Sequence, residues 1–237
     1  MTPRLNLMLG LPMVAILAGC RTPEQRPDAE LPGGASWFTG DVAADFTDAT
    51  VVTVADPGGL DVGVPTAGGR AVSGNDIEYA ALDYDPATDT LSVGIATYGV
   101  AGDVDGDGDG GTTSSWLSGL GGTDVADFGG TESFAVAFDL DEDGTLDVIT
   151  GVNGLGGDTS SFSVNTFSGT PFAPGFAFGS VISGHNGGLF ASPSASAPHV
   201  EFSITSFSTL AADAGLTDSE DSFSVYVFMG SFSDAGI

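Results

Sequence analysis

The sequence predicts an all-β fold, an antiparallel β-sandwich, and three observations predict it. Apolar residues alternate with polar or small ones along most of the short hydrophobic runs, the period of a strand with one buried face. Clusters of glycine, proline, serine and aspartate separate those runs, with 37 glycines among 237 residues. Helical period is nearly absent. Period alone does not distinguish two packed sheets from a closed barrel, so a barrel is the alternative architecture.

Taken in order, the strand candidates are ATVVTVA (49–55), IEYAALDY (77–84), LSVGIATY (91–98), TESFAVAFDL (131–140), TLDVITGV (145–152), SFSVNTF (161–167), GFAFGSVI (175–182), HVEFSITSF (199–207) and SFSVYVFM (222–229). In the fourth, Phe134, Val136, Phe138 and Leu140 share one face, with Ala135, Ala137 and Asp139 on the other. Leu91, Val93 and Ile95, then Val200, Phe202 and Ile204, then Phe223, Val225, Val227 and Met229 make the same pattern. FSTLAADAG (207–215) is the exception, one or two helical turns before a glycine. Hydrophobic residues make up 41 % of the chain and sixteen are phenylalanine, enough for a sizeable core.

The first residues set the compartment. Arg4 precedes a nearly unbroken apolar run from Leu5 to Ala18, too short to span a bilayer and suited to the core of a secretory signal. The run closes on Leu17-Ala18-Gly19-Cys20, which resembles the lipobox of bacterial lipoproteins. The resemblance implies a signal peptide at 1–19, acylation of Cys20, and export to the bacterial cell envelope or surface with the membrane as partner through the lipid. RTPEQRPDAELPGG, rich in proline and charge, then reads as a tether, so that 20–34 is linker and 35–237 a single domain. With Cys20 the lone cysteine, an exported domain has no internal disulfide and needs another staple.

Charge narrows the partners. From position 31 onward 29 acidic residues face one basic residue, Arg70. Such a surface repels nucleic acid and anionic headgroups. Divalent cations or a salty medium can carry the excess. Aspartate outnumbers glutamate 25 to 7, and the short side chain suits tight metal loops. Scattered residues such as Asp41, Asp45, Asp48 and Asp61 read as a solvated face.

FDLDEDGTLDVITG (138–151) concentrates that charge. Numbered from Asp139, acids stand at positions 1, 3, 5 and 9 (Asp139, Asp141, Asp143, Asp147), with Gly144 at 6 and the Thr145 carbonyl expected at 7. Ca²⁺ takes six to eight oxygens at 2.3–2.6 Å, and alternate residues of a curved loop can aim carboxylates at one centre. Without a cation, two carboxylates about 4 Å apart repel by roughly 4 kcal/mol at an effective dielectric near 20. DxDxDGxxD resembles the calcium loops of integrin-type propeller repeats, dockerins and thrombospondin type 3 repeats. It departs from an EF-hand, since Thr150 occupies position 12 and both flanks have strand period. Glu132, or a carboxylate from another loop, is the expected completion of the shell. GDVDGDGDGG (102–111) repeats the theme with Asp103, Asp105, Asp107 and Asp109. Two registers compete there, Asp103/Asp105/Asp107 with Gly108 or Asp105/Asp107/Asp109 with Gly110, and neither has an acid at position 9.

The order NDIEYAALDYDPATDTLSVGIATYG, long loop, ESFAVAFDLDEDG, and later HVEFSITSFSTL is similar to DOMON-like sandwiches and family 9 carbohydrate-binding modules. The resemblance spans about residues 75–230 and implies a jelly-roll-like sandwich with structural calcium and, in many relatives, sugar or haem binding. No methionine–histidine pair suits haem. Trp37, Trp116, Tyr84 and Tyr98 are the candidate sugar platforms. Catalysis is poorly supported: no GxSxG elbow exists, and His185 and His199 are the only histidines, the first reading as a turn residue and the second as the solvent side of a strand start. The expectation is a non-catalytic, calcium-stabilised surface lipoprotein that binds extracellular carbohydrate or a surface protein. A purely structural or adhesive component is the alternative, and a secreted glycoside hydrolase working through a carboxylate pair the second.

Overall fold

The computed structural model describes residues 38–48, 51–55, 74, 76–103, 106–113, 115–119, 132–152, 162–169, 178–216 and 222–231. Ten strands form two five-stranded antiparallel sheets. One sheet orders β1 (Val52–Ala55), β2 (Ile77–Asp85), β3 (Thr90–Thr97), β9 (Val200–Thr205) and β8 (Asn186–Phe190) as β1-β2-β3-β9-β8. The other orders β10 (Ser224–Ser231), β4 (Glu132–Asp139), β5 (Val148–Val152), β6 (Ser163–Phe167) and β7 (Phe178–Val181) as β10-β4-β5-β6-β7. The architecture is a sandwich, not a closed barrel.

The core lies where the alternation places it. Phe134, Val136, Phe138 and Leu140 of one sheet meet Leu91, Val93, Ile95, Val200, Phe202 and Ile204 of the other in one apolar cluster. Phe134 and Phe202 stack across the gap with ring centroids 6.0 Å apart. The predicted helical turns are also present, a 3-10 turn at Phe207–Thr209 running into α3 (Leu210–Asp213), whose Leu210 is fully buried.

Both outer faces carry cover. On the β4 sheet, Leu146 packs with Ala135, Ala137 and Ile149. On the β9 sheet, residues 38–48 form a strap containing α1 (Val42–Asp45), which the alternation does not reveal. Asp41 caps this turn by accepting from Ala44 N–H at 3.3 Å. Val42 sinks to zero exposure against Ala81 and Ala96. Gly94 of β3 makes the room: a Cβ there would sit 2.8 Å from Val42 and Phe46. β8 is likewise missing from the alternation, because HNGG carries no period. It forms by docking on β9, with Leu189 opposite Phe202 and Gly188 N–H donating to Ser203 Oγ at 2.8 Å.

The expected signal, Cys20, the tether, Trp37, Asp61 and Arg70 lie outside the described residues. Among the described residues no helix is long and apolar enough to cross a membrane.

Candidate metal centre

β4 ends on Asp139 and β5 starts after Asp147, so the acidic loop joins two adjacent antiparallel strands. Strand alternation turns Asp139 away from the core, onto the face that Leu146 then covers. The residue is therefore only 5 % exposed. Asp147 N–H donates to Phe138 O at 2.8 Å and closes the loop. Glu142 (φ 54°) and Gly144 (φ 87°) take the left-handed backbone that folds residues 140–146 back on themselves, which glycine adopts without a Cβ clash.

That curvature gathers oxygens. One carboxylate oxygen each from Asp139, Asp141 and Asp147 lie within 4.8 Å of one another. Two oxygens on opposite sides of a calcium ion at 2.3–2.6 Å stand at most about 5 Å apart, so the spacing fits a shared ion. Asp139 Oδ2 accepts from Gly144 N–H at 3.0 Å and Asp147 Oδ2 from Leu140 N–H at 2.8 Å. Asp139 Oδ1 is buried with no hydrogen-bond partner. A carboxylate oxygen can only accept, and burying one unmet costs about 1–3 kcal/mol or more, a cost that a cation seated among these carboxylates could offset. Burial, and then the charges of Asp143 and Asp141, hold the Asp139 carboxyl above its ordinary range despite the Gly144 hydrogen bond and a weaker pull from the Glu142 N–H, which lies outside good hydrogen-bond geometry. Burial raises Asp147 as well, helped by Asp141, Asp139 and Asp143. An all-oxygen, multiply anionic donor set suits a hard divalent ion and gives no foothold to soft-metal chemistry.

Asp143 is exposed and its carboxylate lies outside the three-oxygen group, its Oδ1 accepting from Thr145 N–H at 2.7 Å. Glu132 cannot complete the shell. It opens the strand that Asp139 closes, and an eight-residue strand separates its ends by roughly 23 Å.

The Asp103 loop has the same frame. Asp103 Oδ2 accepts from Gly108 N–H at 2.8 Å, five residues on, as Asp139 does from Gly144. Asp107 Oδ1 accepts from Asp109 N–H at 2.9 Å, matching Asp143 with Thr145. Gly106 (φ 67°) and Gly108 (φ 93°) repeat the left-handed fourth and sixth positions. These bonds select the register beginning at Asp103, with Gly108 at the turn. Asp109 thereby falls at position 7, where its Oδ1 accepts from Gly111 N–H at 2.9 Å. Position 9 is Gly111, and the second Asp103 oxygen is met by Gly106 N–H at 2.5 Å. Asp105 lies outside the described residues.

Other candidates divide. Tyr98 is 36 % exposed at the end of β3. Tyr84 is a packing residue: its ring lies 5.9 Å from that of Phe207 and its hydroxyl donates to Asp89 at 2.9 Å. Trp116 falls in α2 (Ser115–Gly119), its side chain outside the described set. His185, read as a turn residue, follows the 183–184 turn but is 1 % exposed, with Nδ1 2.9 Å from Thr205 O and Nε2 3.0 Å from Asp213 Oδ2. His199 is half-buried just before β9, its Nδ1 accepting from Val42 N–H of the strap at 3.1 Å. Asp45 serves the strap too, accepting from Thr39 N–H and Oγ1 at 2.6 and 2.8 Å. No protein family, curated protein or solved structure was found to match the chain.

Proposed function

We propose that the protein is a non-catalytic, calcium-stabilised sandwich, lipid-anchored through Cys20 at a bacterial cell surface, that binds extracellular carbohydrate or a surface protein. One observation carries the calcium: the unpartnered, buried Asp139 Oδ1 within a three-carboxylate cluster. The Asp139 loop is the principal site, and the Asp103 loop, with its oxygens already met by backbone N–H groups, is a second and weaker one. Calcium takes the stapling role that disulfides play in other exported domains. The non-catalytic reading draws on the burial of His185, which at 1 % exposure keeps its imidazole from a substrate.

Carbohydrate binding draws on the sequence resemblance and on Tyr98, the most exposed of the candidate platforms among the described residues. The packing of Tyr84 favours the second reading, a purely structural or adhesive component. A glycan panel probed with calcium-loaded protein separates them: binding that Tyr98→Ala weakens supports the first, and uniform silence removes it. Radiolabelled fatty acid incorporated by the full chain and lost in Cys20→Ser tests the anchor; equal labelling of both overturns it.

A further inference from the structure

Glu201 sits in the middle of β9 with zero exposure, on the outer face beneath the 38–48 strap. Three hydrogen bonds tie strap to strand. His199 N–H donates to Gly40 O at 2.9 Å, Gly40 N–H donates to Glu201 Oε2 at 2.6 Å, and Val42 N–H donates to His199 Nδ1 at 3.1 Å. Only the last requires a particular protonation state, because Glu201 accepts from Gly40 N–H whether neutral or ionised. An imidazole nitrogen accepts only through its lone pair, so His199 must be neutral with its proton on Nε2. Glu201 Oε1 is buried with no donor to meet it, and the neighbouring Asp45 carboxylate can pair with Glu201 only while one of the two carboxyls keeps its proton.

The neighbourhood adds charge of the wrong sign for an ionised Glu201. Asp41 and Asp45 face it from the strap, while Glu78 of β2 and Asp41 act on His199, and the half-buried Tyr79 of β2 lies near Glu201. Gly94 and Phe190, its register partners on β3 and β8, do not titrate.

We propose that residues 38–48 form a proton-gated strap, held on β9 by a protonated Glu201 and a neutral His199 and loosened when either changes state. Burial, then the Asp45 and Asp41 carboxylates, push Glu201 up to about 8 against the Gly40 hydrogen bond. Burial draws His199 below its ordinary value against Asp41 and Glu78. A raised acid holds the strap most firmly below the ordinary carboxyl range and loses hold as pH rises through about 8. A lowered imidazole contributes above its ordinary value of 6.5 and loses hold as pH falls through its lowered one. The two dependences oppose each other below 6.5, and Glu201 acts alone between 6.5 and about 8. Residues 1–37 precede this strap in the chain, and loosening it would lengthen the tether, a consequence that alone rests on the lipid-anchor reading.

Hydrogen exchange of the Gly40 and Val42 amides, corrected for intrinsic rates and run in excess calcium on the full chain, tests the gate. Their protection should fall by about tenfold per pH unit between 6.5 and 8, while the β4–β5 ladder stays protected. Glu201→Gln, which keeps the acceptor for Gly40, should flatten that decline. His199→Asn, whose amide oxygen can replace Nδ1, should leave it in place and extend it below 6.5. A wild-type profile that is flat, or a Glu201→Gln profile that falls equally, overturns the proposal. Should the variants not fold, the Glu201 carboxyl carbon followed by NMR decides: a titration near 8 supports the gate and one in the ordinary carboxyl range overturns it.

Discussion

The Asp139 and Asp103 loops trace the same backbone frame, with left-handed fourth and sixth residues and an N–H from the sixth bonded to the first aspartate. They part at the ninth position. Asp147 joins the cluster in one, and Gly111 leaves the place empty of charge in the other. They also part at the first aspartate: Asp103 has both oxygens met by backbone donors, whereas Asp139 keeps one buried oxygen unmet. A glycine-rich turn can therefore neutralise much of an aspartate's need with its own amides. Adding a carboxylate at position 9, beneath a hydrophobic cover such as Leu146, is what gathers three carboxylates that could hold an ion in the same frame. Asp89 marks the opposite limit. Burial tends to raise it, yet donors from Ser208 N–H and Oγ, both at 2.8 Å, and from Tyr84 hold it below the ordinary range.

Removing calcium should have the largest effect. An ion present at about 100 times its dissociation constant stabilises by roughly 2.7 kcal/mol, and a domain of this size shifts by about 2–4 °C per kcal/mol. Thermal melts in calcium and in chelator should thus differ by roughly 5–10 °C. Asp139→Asn sharpens the comparison by reversing a sign: most of the calcium-induced shift disappears, while the melting point in chelator rises because a repelling charge has gone. A fall in chelator of about 2 kcal/mol or more, the size expected on losing a needed buried hydrogen-bond partner, would mean that Asp139 holds the loop by hydrogen bonding alone.

Gly111→Asp supplies the missing ninth acid and should tighten binding at the Asp103 loop by about tenfold, roughly 1.4 kcal/mol, seen as a second resolvable phase in a calcium titration. An unchanged titration would show that position 9 is not what separates the loops. The smallest effect belongs to Asp89. A lowered acid contributes stability above its ordinary value of 3.8 and loses it as pH falls through the lowered one. Asp89→Asn should accordingly melt lower than wild type at pH 7 and converge with it in strong acid, independently of calcium.

Much of this was legible in the residues. Alternation in TESFAVAFDL and HVEFSITSF placed the core side chains on the correct face, because a one-residue slip would have put every one of them in water. The spacing DxDxDGxxD pointed to the loop in which three carboxylates gather, and the left-handed Gly144 is the reason that glycine is there. β8 and α1 were not legible, since HNGGLF and VAAD acquire structure only by docking on β9 and in the notch at Gly94. The register of the Asp103 loop needed backbone hydrogen bonds to resolve. Glu201 gave no sequence signal either: in HVEFSITSF it alternates like any solvent-facing residue, and only the strap from 160 residues earlier buries it.

Calorimetric titration of calcium into decalcified protein at pH 7, run in parallel on wild type and Asp147→Asn, tests the ion seat most directly. Wild type should show one tight event and a weaker one, and the variant, which keeps the acceptor for Leu140 but loses the charge, should lose only the tight event. Identical titrations in the two proteins, or no heat and no change in melting in either, would contradict a calcium ion held by Asp139, Asp141 and Asp147.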